Sequence, residues 1–263
     1  MGINSRTNAF QRYVAIGDST VEGLDDPDGR GSYRGWANRL AERLAAIQGS
    51  VLYANLGVRG RTTPQILREQ LAPALAMRPD LAAVVSGTND LLRRRFDPAA
   101  LRRDIETMQR ALIDAGARVI TFTLPDLSDI MPLARVLRAR LPLMNQAIRD
   151  AAISTGATVC DFAVFPVASD WRLWSDDRLH ANSAGHARIA EALAYHLELQ
   201  GSDRRWAEPL PAVPRRGVGG AIQAEAQWVR RHLAPWIWRH LQGRSSGDGV
   251  SAKLPGLVEV VSG

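Results

Sequence analysis

The stretch "VAIGDSTVEG", residues 14–23, begins as an apolar run and ends abruptly in Gly17-Asp18-Ser19. Small and acidic residues after a buried strand are typical of a strand-ending turn. The same residues suit a nucleophilic serine held at the carboxyl edge of a parallel sheet, where the ligands of open α/β sheets bind. The residues that follow the other strands of the chain decide between these two interpretations.

The bulk composition is that of a globular protein with one sizeable core. The chain has 263 residues, 46% of them hydrophobic and 23% charged, and these values are ordinary for a globular domain. It contains no run of about 18 apolar residues, and residues 1–13 lack the apolar run of a secretory signal. We therefore expect a cytoplasmic protein without stable membrane insertion. The single cysteine, Cys160, excludes an internal disulfide and a cysteine-rich metal site.

The net charge of +6 raises the question of a nucleic-acid partner. The basic residues are almost all arginine, and they are scattered among acidic residues along most of the chain. Before residue 200 there is no nucleic-acid-binding motif and no alternation of aromatic and basic residues. We therefore expect a small-molecule partner and no nucleic acid.

Five short apolar runs, mostly continuous rather than alternating, predict strands that are covered on both faces. They span residues 12–17, 50–55, 81–86, 117–123 and 157–161. The segments between them carry apolar residues at helical spacing, with start signals such as Thr63-Pro64 and stop signals such as Gly49. This alternation predicts a three-layer α/β/α domain with a central parallel sheet of about five strands.

Polar motifs lie at the ends of the predicted strands. They are Gly17-Asp18-Ser19-Thr20 after the first strand, "NLGVRGRTT" (55–63) after the second, "SGTND" (86–90) after the third and "DDRLH" (176–180) beyond the fifth. Because parallel strands end at the same edge of a sheet, these motifs are expected to lie near one another.

Three of the motif residues suit nucleophilic catalysis. The hydroxyl of Ser19 is a poor nucleophile until a base takes its proton. His180 suits that role, because an imidazole titrates near neutral pH. A carboxylate fixes the tautomer of such an imidazole, and Asp177 lies three residues before His180. Asp176 competes with Asp177 for this role.

The remaining motif residues suit an oxyanion hole. The backbone N–H groups of Ser19 and Gly60 and the side-chain amide of Asn89 are candidate donors. Taken singly, each motif has a plain structural explanation as a turn, a loop, a helix cap or a surface ion pair. Their occurrence together, in this order and at successive strand ends, favours catalysis.

The four blocks resemble those of the SGNH (GDSL-type) hydrolases, which are named for Ser, Gly, Asn and His. Thr20 stands where the family pattern has leucine, and the resemblance covers about residues 12 to 199. It implies a flavodoxin-like fold and a site with Ser19, His180 and Asp177 as the catalytic residues, since the family spacing favours Asp177 over Asp176. It also implies ester or thioester hydrolysis, or acyl transfer, without metal or cofactor.

We therefore predict a serine esterase that cleaves carboxylic esters through an acyl-enzyme. One alternative is an acyltransferase that uses the same three residues to acylate a sugar or an alcohol. Another is a binding module that kept the fold without the activity. The sequence does not specify the acyl length, the alcohol or the oligomeric state.

Three residues near the motifs are candidates for substrate binding. Arg59 flanks Gly60 and could attract an anionic ester, unless it belongs to a solvated arginine-rich surface. Trp171 and Trp174 precede the Asp-His block and either line an acyl or aryl pocket or anchor the core. His186, on the helix that follows, is interpreted as a packing or capping residue.

The character of the sequence changes after residue 200. We predict a catalytic domain over residues 1–200 and a carboxy-terminal extension over 201–263, with a Pro/Gly-rich connector, an amphipathic Trp/Arg-rich helix at 221–242 and a mobile tail. The helix either packs on the domain, leans over the site or lies on a membrane surface.

Overall fold

The computed structural model describes residues 9–131, 135, 137–213, 228, 230–231 and 246–262. The strands are β1 (Arg12–Gly17), β2 (Ser50–Asn55), β3 (Leu81–Val85), β4 (Arg118–Phe122), β5 (Thr158–Cys160) and β6 (Leu254–Val261). The helices are α1 (Ser19–Glu22), α2 (Gly35–Gln48), α3 (Thr63–Ala76), α4 (Thr88–Leu91), α5 (Pro98–Asp114), α6 (Leu141–Thr155) and α7 (Ser183–His196). Short 3-10 turns occupy Phe162–Val164, Pro166–Ser169, Trp171–Leu173 and Arg204–Ala207.

The six strands form one mixed sheet in the order β5-β4-β3-β1-β2-β6. β1 to β5 run parallel, in the order of a flavodoxin-like sheet. Their bounds differ from the predicted strands by no more than one residue at either end. The predicted three-layer α/β/α domain with five parallel strands is therefore confirmed, and the carboxyl ends of β1, β2 and β3 lie side by side.

Helices cover both faces of the sheet, and this explains why its strands are continuously apolar. In β1, Tyr13 and Ala15 belong to the core cluster shared with α2 and α7. Val14 and Ile16 belong to the cluster shared with α3, α5 and α6. Because alternate side chains of a strand point to opposite faces, each of these four residues is buried in apolar surroundings.

Helix boundaries follow the capping signals in the sequence. Asp97 caps α5, and its carboxylate accepts hydrogen bonds from the N–H groups of Ala99 and Ala100, both at 3.0 Å. At the start of α3, Thr62 and Gln65 form a reciprocal capping box. Among the helices in the described ranges, none has both the length and the apolar character that crossing a bilayer would require.

The carboxy-terminal tail differs from its prediction. We expected a mobile tail with little structure, but Leu254–Val261 form β6, which pairs antiparallel with β2. Pro255 and Gly256 interrupt the apolar pattern of this segment and conceal the strand. An edge strand tolerates proline because one of its sides has no ladder hydrogen bonds to lose.

Two tryptophans of the extension pack against the α/β/α domain. Trp206 is buried in the core cluster of α2 and α7. Trp228 is buried beside the loop that precedes α7. The amphipathic helix predicted over 221–242 lies outside the described residues, apart from Trp228, Arg230 and Arg231.

Candidate active site

β1 brings the serine of the first motif to the edge of the sheet. Ser19 is the first residue of α1, and Asp18 caps this helix by accepting a hydrogen bond from the N–H of Thr20 at 3.0 Å. A β-carbon on Gly17 would lie only 2.2 Å from the carbonyl oxygen of Val85 in β3, so this position requires glycine. The chain turns directly after this close contact, and Ser19 lines a cavity.

Motif residues that are far apart in the sequence meet at Ser19. Its Oγ atom lies 2.9 Å from Nε2 of His180, and Nδ1 of His180 lies 2.6 Å from Oδ2 of Asp177. Asp176, the competing carboxylate, is exposed. Hydroxyl, imidazole and carboxylate thus form a hydrogen-bonded series, which is the arrangement that nucleophilic acyl transfer needs.

A tight turn holds the carboxylate against the imidazole ring. Oδ1 of Asp177 accepts hydrogen bonds from the N–H groups of Leu179 at 2.8 Å and His180 at 3.0 Å. It also accepts one from Oγ of Ser175 at 2.6 Å. Arg178, inside the turn, adopts a left-handed φ of 61°. These bonds occupy Oδ1 and leave Oδ2 facing the ring.

The electrostatics of this pair favour an ionised carboxylate and a basic imidazole. Burial raises the pKa of Asp177, but the hydrogen bond and charge of His180 outweigh burial and hold this pKa below its usual range. Burial lowers the pKa of His180, but the hydrogen bond and charge of Asp177, and then the charges of Asp25 and Asp18, raise it above its usual value. His180 is therefore a stronger base toward Ser19 than an isolated histidine.

The loop after β2 carries the second motif and is held by α1. Gly60 adopts a φ of 76°, which favours glycine, and lines the same cavity as Ser19. The N–H of Arg59 donates to Oε2 of Glu22 at 2.8 Å, and the guanidinium of Arg59 pairs with the same carboxylate. Because Glu22 is the last residue of α1, the helix that begins at Ser19 also positions the loop of Gly60.

Asn89 connects three of the motif-bearing loops. Its Nδ2 atom donates to the carbonyl oxygen of Arg61 at 3.0 Å and to Oδ2 of Asp18 at 3.3 Å. Burial raises the pKa of Asp18 to about 6, although the N–H of Thr20 and the charge of His180 oppose the shift. Oδ2 of Asp18 accepts the hydrogen bond from Asn89 whether the carboxyl group is ionised or protonated.

Two polar residues beside the site have structural roles. Oδ2 of Asp90 accepts hydrogen bonds from N and Oγ1 of Thr63, both at 2.8 Å, and so holds the start of α3. Nδ1 of His186 accepts from the N–H of Trp36 at 3.1 Å, and its Nε2 donates to the carbonyl of Leu24 at 2.9 Å. Burial lowers the pKa of His186 to about 4, so the ring stays neutral. These two hydrogen bonds support the interpretation of His186 as a packing or capping residue.

The three candidates for substrate binding lie in different environments. Trp174 lines the cavity. Arg59 also lines it, but its guanidinium is held by Glu22 and lies over the ring of Tyr33, 5.3 Å from the centroid. Trp171 lies outside the cavity lining, with 52% of its surface exposed. Binding roles for Trp174 and Arg59 stay predictions.

Sequence reasoning missed three residues that contact the Asp-His turn. Oγ of Ser175 lies 2.6 Å from a carboxylate oxygen of Asp25 as well as from Asp177, and Asp25 approaches Nδ1 of His180 to 3.8 Å. Nε1 of Trp228 donates to the carbonyl of Asp177 at 3.1 Å. Nothing in the sequence separates Asp25 from other acids of its Asp/Gly-rich loop. For Trp228, the signal was the tryptophan content of the extension.

Asp25, Asp177 and His180 also meet the distance criterion for a metal site. One ligand atom from each lies within 4.8 Å of the others. In this geometry Asp177 is hydrogen-bonded to His180, and Oδ2 of Asp25 lies 2.6 Å from Oγ of Ser175. The same three residues are thus connected to Ser19 through His180, whose Nε2 lies 2.9 Å from Oγ of Ser19.

A cavity of about 770 Å³ opens at Ser19 and His180. Its polar lining includes Gly60 and Asn89, so the candidate oxyanion donors share the cavity with the nucleophile. Most of its other lining residues are apolar and come from the segments after β3, β4 and β5 and from α7. The lining also includes the charged residues Arg188, Arg231 and Asp248, so a ligand in this cavity would meet both apolar and charged groups.

A family model of the GDSL-like lipase/acylhydrolase family matches residues 15–188. The chain therefore belongs to this family, and the resemblance inferred from the four blocks is confirmed. The match supports hydrolase activity. None of the curated protein sequences matches the chain.

Solved structures share the fold at low sequence identity. LAE5, an alpha/beta hydrolase enzyme from the metagenome of Lake Arreo, Spain, is 21% identical with a TM-score of 0.59, over 73% of this chain and 97% of that chain. The lipase/acylhydrolase from Enterococcus faecalis is 23% identical with a TM-score of 0.58, over 77% and 100%. A catalytic mutant of Axe2, an acetylxylan esterase from Geobacillus stearothermophilus, is 16% identical with a TM-score of 0.58, over 80% and 100%.

Proposed function

We propose that this protein is a serine esterase that hydrolyses carboxylic esters through an acyl-enzyme on Ser19. The observation that carries this proposal is the hydrogen-bonded series from Ser19 through His180 to Asp177, with separations of 2.9 and 2.6 Å. Membership of the GDSL-like lipase/acylhydrolase family supports the same reaction class.

The proposed reaction has two steps that share one base. Nε2 of His180 takes the proton of Ser19 as Oγ attacks the ester carbonyl carbon, and Asp177 stabilises the resulting imidazolium. The imidazolium then gives this proton to the alcohol oxygen, the C–O bond breaks, and the acyl-enzyme remains. In the second step His180 deprotonates a water molecule, which attacks the acyl-enzyme, releases the acid and restores Ser19.

Both steps pass through an oxyanion, for which we assign three donors. They are the N–H groups of Ser19 and Gly60 and the Nδ2 amide of Asn89. Nδ2 already has two contacts, of which the one to Asp18, at 3.3 Å, is the longer. We infer that the oxyanion replaces Asp18 as the partner of that hydrogen, while the contact with Arg61 keeps the amide in place.

The test compares the wild type with Ser19→Ala on p-nitrophenyl acetate and p-nitrophenyl butyrate. Loss of the nucleophile is expected to lower kcat at least about 10³-fold. Ser32→Ala is the matched control, because Ser32 is an exposed serine on the loop that follows α1. Its activity is expected to equal that of the wild type.

A stoichiometric label gives a second readout that does not depend on turnover. Diethyl p-nitrophenyl phosphate is expected to release one equivalent of nitrophenol and to leave its phosphoryl group on Ser19, identified by peptide mass. Activity that survives in Ser19→Ala, or a label on another residue, would contradict the proposed function.

A further inference from the structure

Trp228 joins the carboxy-terminal extension to the turn that carries Asp177 and His180. Only 6% of its surface is exposed, and its Nε1 atom donates a hydrogen bond to the carbonyl oxygen of Asp177 at 3.1 Å. The two residues are 51 positions apart in the sequence, and Trp228 lies outside residues 15–188, which match the family. The contact therefore comes from a part of this chain that the family match does not include.

The indole ring of Trp228 makes a second contact with the same turn. The Cζ atom of Arg178 lies over this ring, 5.0 Å from its centroid, in a cation–π arrangement. Arg178 has a left-handed φ of 61°, which is a strained conformation for a residue with a β-carbon. Its Nη1 atom also donates to the carbonyl of Ile130 at 3.0 Å. The side chain of the strained residue is thus held by the ring of Trp228 and by the segment after β4.

The base of the turn is held without Trp228. The N–H of Ser175 donates to the carbonyl of His180 at 2.9 Å, and the N–H of Arg178 donates to the carbonyl of Ser175 at 3.0 Å. These backbone bonds close the turn, whereas Trp228 contacts the peptide of Asp177 at its tip. Loss of the indole N–H should therefore displace the tip without unfolding the turn.

The peptide that Trp228 contacts belongs to the residue whose side chain meets the imidazole. Oδ2 of Asp177 lies 2.6 Å from Nδ1 of His180, and Nε2 of the same ring lies 2.9 Å from Oγ of Ser19. Charge-assisted hydrogen bonds of this length depend strongly on geometry. A displaced Asp177 would therefore hold the imidazole less firmly in its orientation toward Ser19.

On the basis of the proposed esterase function, we propose that Trp228 is a positioning residue for the Asp177–His180 turn. Its indole N–H fixes the peptide of Asp177, and its ring holds Arg178, so the extension sets the geometry of the base. In this role Trp228 touches no reacting atom and acts through Asp177. Trp228 and Arg231 also line the cavity, so this part of the extension lies at the site.

Trp228→Phe tests the indole N–H, because phenylalanine keeps an aromatic ring for Arg178 and removes the donor. With p-nitrophenyl acetate, kcat is expected to fall about tenfold, since small displacements of catalytic groups have large effects on rate. Both steps of the proposed reaction use His180, so kcat reports on this pair whichever step is slower. Trp228→Leu removes both contacts and should lower kcat further. It also repeats the tests if the phenylalanine variant fails to fold.

The pH profile distinguishes positioning from a general loss of stability. Burial lowers the pKa of His180, whereas the hydrogen bond and charge of Asp177, and then the charges of Asp25 and Asp18, raise it. A looser contact with Asp177 lowers this pKa. Because His180 must be neutral to act as a base, the acid limb of kcat/KM in Trp228→Phe should move to lower pH.

Hydrogen exchange gives a readout that does not depend on activity. The N–H groups of Leu179 and His180 donate to Oδ1 of Asp177 at 2.8 and 3.0 Å. If Trp228 fixes the tip of the turn, both amides should exchange faster in Trp228→Phe than in the wild type.

Trp36→Phe is the matched control. Trp36 is a fully buried tryptophan of α2, and its Nε1 atom has no hydrogen-bond partner among the described residues. The control therefore also removes a buried indole but breaks no indole hydrogen bond. It should cost stability while it leaves kcat, the acid limb and the exchange of the turn unchanged.

The proposal would be overturned if kcat, the acid limb and the exchange of the turn were unchanged in Trp228→Phe, or changed equally in Trp36→Phe. A change in KM alone would also overturn it, because Trp228 would then be a binding residue. In each case Ser19-dependent hydrolysis would still stand. Failure of the proposed function is a different result, in which activity survives in Ser19→Ala.

Discussion

Two regions of the chain hold the candidate site in different ways. The motif-bearing loops at the ends of β1, β2 and β3 and before α7 supply every side chain of the proposed reaction. The carboxy-terminal region, residues 246–262, supplies none of them and lies outside the family match over residues 15–188. It nevertheless contacts the backbone of α1 and of the loops that carry or adjoin those side chains.

Lys253, the only lysine of the chain, makes part of this contact. Its Nζ atom donates to the carbonyl oxygens of Glu22 at 2.7 Å, Tyr33 at 2.7 Å and Arg34 at 3.0 Å. An ammonium group has three N–H donors and no acceptor, so three carbonyls match it completely. Lys253 thereby ties the end of α1 to the end of the α1–α2 loop, residues 23–34.

The backbone of the tail also lies against the loop of Gly60. A β-carbon on Gly247 would lie 1.9 Å from the carbonyl oxygen of Arg59, so the two backbones leave no room for a side chain. The two regions therefore contribute to the candidate site in different ways. The motif loops supply the side chains that meet at Ser19, whereas Lys253 and Gly247 of the tail contact the backbone of these loops, so damage to the two regions should have different consequences.

The largest effect is expected for Asp177→Asn, which tests the motif loops. The amide cannot stabilise the imidazolium of His180 as a carboxylate does, and it favours the wrong tautomer of the ring. We expect kcat to fall by about 10³ to 10⁴-fold, with the melting temperature little changed. Asp176→Asn is the control: it removes the same charge from an adjacent, exposed residue, and equal losses in both variants would contradict the assignment.

A smaller effect, on stability, is expected for Lys253→Met, which tests the tail. Methionine keeps the apolar stem but leaves three carbonyls without their donor, and we expect a loss of about 3 kcal/mol in the free energy of unfolding. For a chain of this size the melting temperature should fall by about 6–12 °C. Urea unfolding and thermal melts measure both quantities.

Arg205→Met is the matched control for Lys253→Met. Arg205 is also a long cation, but its side chain is 79% exposed and pairs with Asp203 at the surface. Such a pair contributes less than about 1 kcal/mol. If the two methionine variants lose the same stability, the three hydrogen bonds of Lys253 do not hold the α1–α2 loop.

The contrast between the two regions also explains what could be predicted from the sequence. The five parallel strands are apolar runs with local start and stop signals, and their bounds were predicted to within one residue. Asp177 and His180 are three residues apart, so their contact lies within a local turn. Ser19 and Asn89 were predicted from the four-block pattern of the family. Both kinds of signal are contained in short stretches of sequence.

The rest of the site depends on contacts that no short stretch contains. Lys253 and Glu22 are 231 residues apart, and the contact is to a carbonyl, which every residue has. Asp25 and Ser175 are 150 residues apart, and each is an ordinary loop residue in its own segment. Such contacts follow from the packing of the whole domain, so the sequence could not have separated these residues from their neighbours.

The smallest effect is expected for Asp25→Asn, on the α1–α2 loop where the two regions meet. The charge of Asp25 is among those that raise the pKa of His180. The carboxylate of Asp25 lies 3.8 Å from Nδ1 of His180. Because His180 must be neutral to act as a base, kcat/KM falls as the pH drops through this pKa. Removing the charge of Asp25 lowers the pKa of His180, so the acid limb of the pH profile should move to lower pH. At the pH optimum, kcat/KM should change only a few-fold.

Three further variants separate the charge of Asp25 from the position of its loop. Asp176→Asn removes a charge from an exposed neighbour of Asp177 and should leave the acid limb in place, whereas Asp25→Glu should restore it. An unmoved limb in Asp25→Asn would contradict the role of this carboxylate. Lys253→Met removes no carboxylate near His180, yet it releases the loop that carries Asp25. If the acid limb of Lys253→Met shifts in the same direction, the tail affects the pKa of His180 by positioning Asp25. If the limb does not move, the tail contributes to stability alone.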